Sequence, residues 1–261
     1  MAHSVRDLEL FCRVIFEYEP WNVDFKTLHM PWNSSLAQRE SEEKLVISMF
    51  TDDGVVASYP PIIEGLLQVR NALIVTGHEV IELEPMSHQE ANEVVSRLYL
   101  LKIRSHVEAK KHGTWSLAES WEMNIKRDKL RAQALKHWNE TSRRTQSGRP
   151  ADAVLCPASA TLAPPCWKMQ WFGYTAYWNL LDLPSAVFPL GKLFDASQCK
   201  SVNHSAHARP RNSIEEFVTN QWDPDTYDGV PMALQLVGRQ WQEEKLIAEL
   251  RVVDRVIARL G

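Results

Sequence analysis

Cys156 is the first residue in this sequence that could do chemistry, because it ends a short apolar run and precedes Pro157, a place where a thiol nucleophile can sit. No histidine, lysine or helix start stands beside it to lower its pKa, so a buried structural thiol is the better reading. His204 and His207, three apart with Cys199 upstream, are donor types that bind zinc. The polar, aperiodic run around them reads instead as surface. Asp52 and Asp53 could share acid–base work, but Gly54 follows them, and aspartate before glycine is turn chemistry. Lys126, Arg127, Lys129, Arg131, Arg143, Arg144 and Arg149 could follow a phosphate backbone. Trp115, Trp121 and Trp138 fall mostly on the apolar side of the same helical pattern, so a solvated helix face is favoured over a nucleic-acid platform. Tyr174, Tyr177, Trp178 and Asn179 crowd the entrance to an apolar strand and could wall a ligand, although core packing explains them equally well.

Several large enzyme classes are missing their usual signature. The sequence has no GxSxG elbow, no GxxxxGK[ST] phosphate loop and no HExxH zinc helix. With 10 glycines in 261 residues, against 10 tryptophans and 14 prolines, glycine-rich cradles for phosphates or oxyanions are not expected. The net charge of −4 supplies no global field for nucleic acid or anionic lipid. Charge is uneven, however: 97–149 hold 13 basic and 5 acidic residues, whereas 1–96 hold 6 and 16. Four scattered cysteines imply a reducing compartment, and Arg6, Asp7 and Glu9 interrupt any signal peptide. No run approaches a membrane span, so a cytoplasmic protein is expected.

The elements that would position these residues follow from periodicity. Val5, Leu8, Phe11, Cys12 and Ile15 repeat at helical spacing, with Ser4 and Asp7 in a capping-box pattern. The run KLVISMF (44–50) predicts a buried strand, Pro60 and Pro61 open a helix that Gly77 stops, and HEVIELEP (78–85) predicts a second strand, giving a β-α-β unit. A long helical stretch from Ser87 or His88 breaks near Gly113 and resumes over 117–144, its apolar side carrying Leu117, Trp121, Ile125, Leu130 and Leu135. Short apolar runs at 153–156, 185–188 and 232–237 predict three further strands, and GYTAYWNLLDLP (173–184) predicts a short helix feeding the second of them. Residues 195–228 read as a long surface excursion, and 243–260 as a closing amphipathic helix. The fold class expected is α/β, with a mixed central sheet and flanking helices.

Several segments together resemble the amidase signature hydrolases, and within them the fungal-type acetamidases. The stretch YTAYWNLLDLPSAVFPLG (174–191) looks like that family's Tyr-Thr helix, Asn and Leu-Asp-x-Pro before a strand, and DGVPMALQLVGR (228–239) is similar to its closing Pro-x-x-Leu-Gln-Leu-Val-Gly-Arg, followed by Glu243, Glu244 and Lys245. Pro60-Pro61-Ile62, Gly77-His78-Glu79-Val80 and MAHSVRDLELF at the start also fit, with His3 standing where the family's Gly-Pro-Met-Ala-Arg-Ser motif has arginine. The resemblance implies amide hydrolysis by a serine nucleophile, a second serine in a cis peptide and a lysine base, with backbone N–H groups as oxyanion hole. In the family all of these precede the segment that resembles 1–11. Residues 1–261 are therefore expected to be the C-terminal part of a single amidase domain, an incomplete amidase-signature fold without its catalytic N-terminal part and inactive alone. No catalytic residue, metal or cofactor is assigned to them. A small amide is the expected substrate only if the catalytic half is supplied. The resemblance also places Tyr174, Asn179 and Pro184 on the wall facing the acyl group; the alternative is that Tyr174 and Trp178 are core and Asn179 caps a helix end. The rival function is a pseudoenzyme or scaffold that associates, with itself or another chain, through exposed sheet edges.

Overall fold

The computed structural model describes residues 2–38, 44–104, 116–199 and 209–259. Five strands, β1 (Val46–Met49), β2 (Glu79–Glu82), β3 (Ala153–Pro157), β4 (Ser185–Leu193) and β5 (Pro231–Val237), form one sheet in the order β2-β1-β3-β5-β4. β1 lies parallel to both β2 and β3, whereas β5 runs antiparallel to β3 and β4. The sheet is thus mixed, as expected. All four residues of β1 are buried, which is what a strand paired on both edges and covered on both faces requires of an apolar run.

The helices are α1 (Val5–Glu17), α2 (Ser34–Ala37), α3 (Pro60–Val75), α4 (His88–Arg104), α5 (Leu117–Glu140), α6 (Gly173–Leu181), α7 (Ser213–Asn220) and α8 (Glu243–Ile257). β1-α3-β2 is the β-α-β unit that the sequence predicts: Pro60 and Pro61 sit in the first turn of α3, and Gly77, at φ 88°, turns the chain into β2. Alternation along β5 marks two faces. Gln235 donates its amide to the Tyr174 carbonyl on α6. Leu234 and Leu236, on the opposite face, belong with the layer of α3 and α8. α4, α5 and α6 pack on one another as the other layer, and α1 and α2 rest on α8.

Three helical expectations need correction. α1 forms, and the Ser4 hydroxyl accepts from the Asp7 N–H, but no residue of α1 is fully buried. Val5 and Leu8 lean on the core while Phe11 and Ile15 face outward. On α5 the expected inner side is mostly outside: Leu117, Trp121, Ile125 and Leu135 are exposed, and the buried positions are Met123, Leu130 and Trp138. Basic residues interrupt the apolar spacing so often that two helical faces compete, and contact with α4 and α6 selects the narrower one. Finally, the stretch 195–228 is not all surface. α7 lies within it, and Glu215, Val218 and Tyr227 are buried. Its polar character hid this because Glu215 is buried with partners: Arg211 grips its carboxylate, and the Ala57 N–H donates to it.

Candidate functional site

A dense set of hydrogen bonds ties the turn after β1 to α6 and the segment before it. Asp53 is 3% exposed. Its Oδ1 accepts from the N–H groups of Val55 and Val56, both at 2.8 Å, and its Oδ2 accepts from the Trp171 indole at 2.6 Å. The Tyr174 hydroxyl donates to the Val56 carbonyl at 2.9 Å and accepts from the Asp53 N–H at 3.2 Å. Asp52 accepts from the Gly54 N–H and pairs with Arg211. The aspartate pair is therefore turn chemistry, as its sequence indicates, with Asp53 extended into a tertiary clamp. Burial raises the Asp53 carboxyl to about 6, although the hydrogen bonds of Val56, Val55 and Trp171 oppose it.

Cys156 lies beneath this clamp, fully buried, with Gln235 as a hydrogen-bond partner, and burial pushes its thiol up to about 12. It is no nucleophile. His204 and His207 lie outside the described residues, and among the described residues no cluster could hold a metal ion. Four cations of the basic island are locally paired: Lys126 with Glu122, Arg127 with Asp128, Arg143 with Glu140 and Arg149 with Asp152. Arg131 donates to the Leu180 carbonyl, and Trp115 lies outside the described residues.

The three residues expected on an acyl wall are split by α6. Tyr174, 1% exposed, faces inward onto the Asp53 turn. Asn179 is on the outward side, its amide donating to the Thr175 carbonyl one turn earlier. Beyond it Asp182 ends the helix at φ 60°, and Pro184, half-buried, leads into β4. Asn179 and Pro184 share a hollow of about 190 Å³ with Asp182, Leu183, Gln240 and Trp241. Ahead of α6 the chain presents Trp167, 97% exposed, and Phe172. Alanine at Tyr174 would empty a core position and strand two backbone groups, so it removes several kcal/mol of stability (about 3–5) rather than testing the wall.

A second, larger hollow of about 400 Å³ adjoins the first across Leu183, Gln240 and Trp241. Its walls include Phe50, Tyr177 and Trp178, and it contains His88, 2% exposed at the start of α4. The His88 ring stacks on Tyr177 with centroids 3.9 Å apart, and both ring nitrogens are sealed from solvent. Burial holds its pKa down to about 4, overriding the Met86 backbone and Asp52, which favour the proton. A depressed folded pKa gives stability that is complete above the unfolded value of 6.5 and is lost as pH falls through 4. His88→Phe, which keeps the stack, is therefore expected to gain about 3 kcal/mol relative to the parent between pH 7 and pH 4. Urea titrations of both proteins at the two pH values check this; a constant difference would mean that His88 titrates normally.

The sequence offers little warning of the burial of His88 or Trp171. Each is an isolated polar or aromatic residue whose partner is remote in the chain. Left-handed backbone at Asp182 and Trp241 is equally invisible, since neither is glycine.

Comparison with known proteins gives a consistent pattern. The family model described as Amidase matches residues 1–247. Acetamidase of Aspergillus oryzae is 29% identical over 280 residues, a match that covers 98% of this chain and 50% of the relative. Acetamidase of Emericella nidulans is 27% identical with the same coverage. Among solved structures, a fatty acid amide hydrolase superposes with a TM-score of 0.83 at 28% identity, over 98% of this chain and 47% of the other. The chain spans about half the length of the relatives it matches.

Proposed function

This chain belongs to the amidase family, and from that premise we propose that residues 1–261 form the substrate-walling half of a carbon–nitrogen hydrolase for small amides. The observation that carries this reading is the end-to-end match of the chain to one half of the acetamidases. The nucleophile, its lysine base and the oxyanion hole come from the other half of such a domain. That chemistry needs an activated hydroxyl with preorganised donors. Cys156 and the Asp52–Asp53 turn do not supply it.

In this reading Asn179 and Pro184 present the acyl-facing wall, and Tyr174 positions it from behind through the Asp53 turn. Exposed Trp167 and Phe172, ahead of α6, support contact with a further part of the domain, as does β4, an edge strand whose Val187 and Leu193 are exposed. The four free cysteines support a reducing compartment such as the cytoplasm, and among the described residues no helix is long and apolar enough to cross a membrane.

A chimaera that joins the remaining half of the Aspergillus oryzae acetamidase to residues 1–261 tests the wall. Asn179→Ala is expected to shift the ratio of kcat/KM for short against long acyl amides by about tenfold, with unchanged thermal stability. An unchanged ratio removes Asn179 from the wall.

One observation favours a second reading, a scaffold that associates through uncovered surface. On α1, Phe11 and Val14 are exposed, and Phe25 follows at 91% exposure. Light scattering of the purified chain separates the two readings: a concentration-dependent dimer supports the scaffold, and a monodisperse monomer without dye-binding apolar surface counts against it.

A further inference from the structure

α1 is apolar around most of its circumference, yet only one side of it is packed. Its charged residues Arg6, Glu9, Arg13 and Glu17 follow one another at helical spacing and form a narrow strip. On one side of that strip Val5 and Leu8 lean on the core, and Glu9 reaches Arg251 of α8 at 2.9 Å. On the other side Leu10, Phe11, Val14 and Ile15, with Tyr18 just beyond the helix, are 46–74% exposed. A surface helix carries one apolar stripe, whereas a helix apolar on two sides belongs between layers. Residues 10, 14 and 18 stand one turn apart and make a ridge of the kind that seats in a groove of another element. The strip satisfies its own charge, because Arg13 pairs with Glu17 and Glu9 with Arg251. What covers the ridge therefore needs apolar surface and no counter-ion.

Area separates the two occupants that have such a surface, a second copy of this chain and the remaining half of the domain. The five outward side chains offer on the order of 500 Å², short of the ~800 Å² per partner that a stable interface buries. A symmetric pair uses one patch on both copies, so α1 set against α1 is too small. Exposed apolar side chains also stand elsewhere, with Phe25 after α1, Trp167 ahead of α6 and Leu193 on the edge strand β4. The relatives that this chain matches carry about as much chain again, enough to cover several such patches. We infer that the outward side of α1 is the seat of the remaining half of the amidase domain, which meets it with an uncharged apolar face. The inference rests on the reading of this chain as half of a hydrolase and adds the surface by which the halves join.

Val14→Glu tests the seat by thermal unfolding in two settings, the purified chain and its chimaera with the remaining half of the Aspergillus oryzae acetamidase. In the chain alone position 14 is exposed and glutamate is a better helix former than valine, so the midpoint stays within about 1 °C. In the chimaera the carboxylate is buried without a partner, and the midpoint falls by about 5–10 °C. Ile125→Glu, at an exposed apolar position on α5, moves neither midpoint. The same acetamidase half, coexpressed as a separate tagged chain, is expected to copurify with residues 1–261 and to lose them about a hundredfold more readily when they carry Val14→Glu. A chimaera midpoint that Val14→Glu leaves unchanged or that Ile125→Glu lowers as far would overturn the seat, as would a dimer of the purified chain that Val14→Glu dissociates. A chimaera that does not fold, together with no copurification, overturns it too. A folded chimaera that responds to Val14→Glu and hydrolyses no amide supports the seat and removes the hydrolase reading instead.

Discussion

Residues 1–261, purified alone, are expected to release no ammonia from acetamide and no aniline from an aryl amide above background, whereas the acetamidase chimaera turns both over. The reason is structural as well as chemical. Cys156, the thiol best placed at a strand end, is fully buried and pushed up to about 12, so its thiolate fraction at neutral pH is negligible. His88, the buried imidazole nearest the site, stacks on Tyr177 and has no serine or cysteine hydrogen-bonded to it. Removing a nucleophile and its base from a comparable hydrolase costs on the order of a million-fold in rate, so the contrast between chain and chimaera is the largest effect available in this protein. A fluorophosphonate probe gives the matching readout, labelling the chimaera and not the chain. Serine-dependent turnover and labelling of residues 1–261 alone would sink the proposal.

How much of this could be read in advance depends on whether the cause was local. β1 was legible because its apolar run is continuous, and the β-α-β unit because Pro60, Pro61 and Gly77 punctuate it. The segment 174–191 carried the family resemblance and also forms the α6–β4 unit around which both hollows are built. What stayed hidden depends on partners distant in sequence. Glu215 made the stretch 195–228 look like surface, because a carboxylate is buried only when something remote such as the Ala57 N–H or Arg211 receives it. The inner face of α5 is hidden for a related reason: leucines and tryptophans occur on more than one side, and only contact with α4 and α6 decides which side is inner. Asp-Asp-Gly signals a turn, yet nothing in it announces that Trp171, more than a hundred residues away, will donate to Asp53.

That remote bond makes Asp53 consequential for stability. Its two oxygens receive three buried donors, and its backbone N–H is tied to Tyr174, so the carboxylate joins the β1 turn to the entrance of α6. Asp53→Ala strands the N–H groups of Val55 and Val56 and the indole of Trp171 with no room for the chain to turn them outward. Gly173 already lies so close that a Cβ there would stand 2.2 Å from the Trp171 ring. At about 1–3 kcal/mol for each unsatisfied buried donor, tempered by relief of the burial that raises the Asp53 pKa, the loss is on the order of 4 kcal/mol. Asp53→Asn keeps one oxygen for the turn but aims an amide N–H₂ at the indole N–H, so roughly half that loss is expected. Urea denaturation at pH 7 followed by tryptophan fluorescence reads both variants, with the order parent, Asn, Ala in falling midpoint. Alanine at this position losing less than about 1 kcal/mol, the ordinary range for a surface change, would mean that the clamp does not hold the β1 turn to α6.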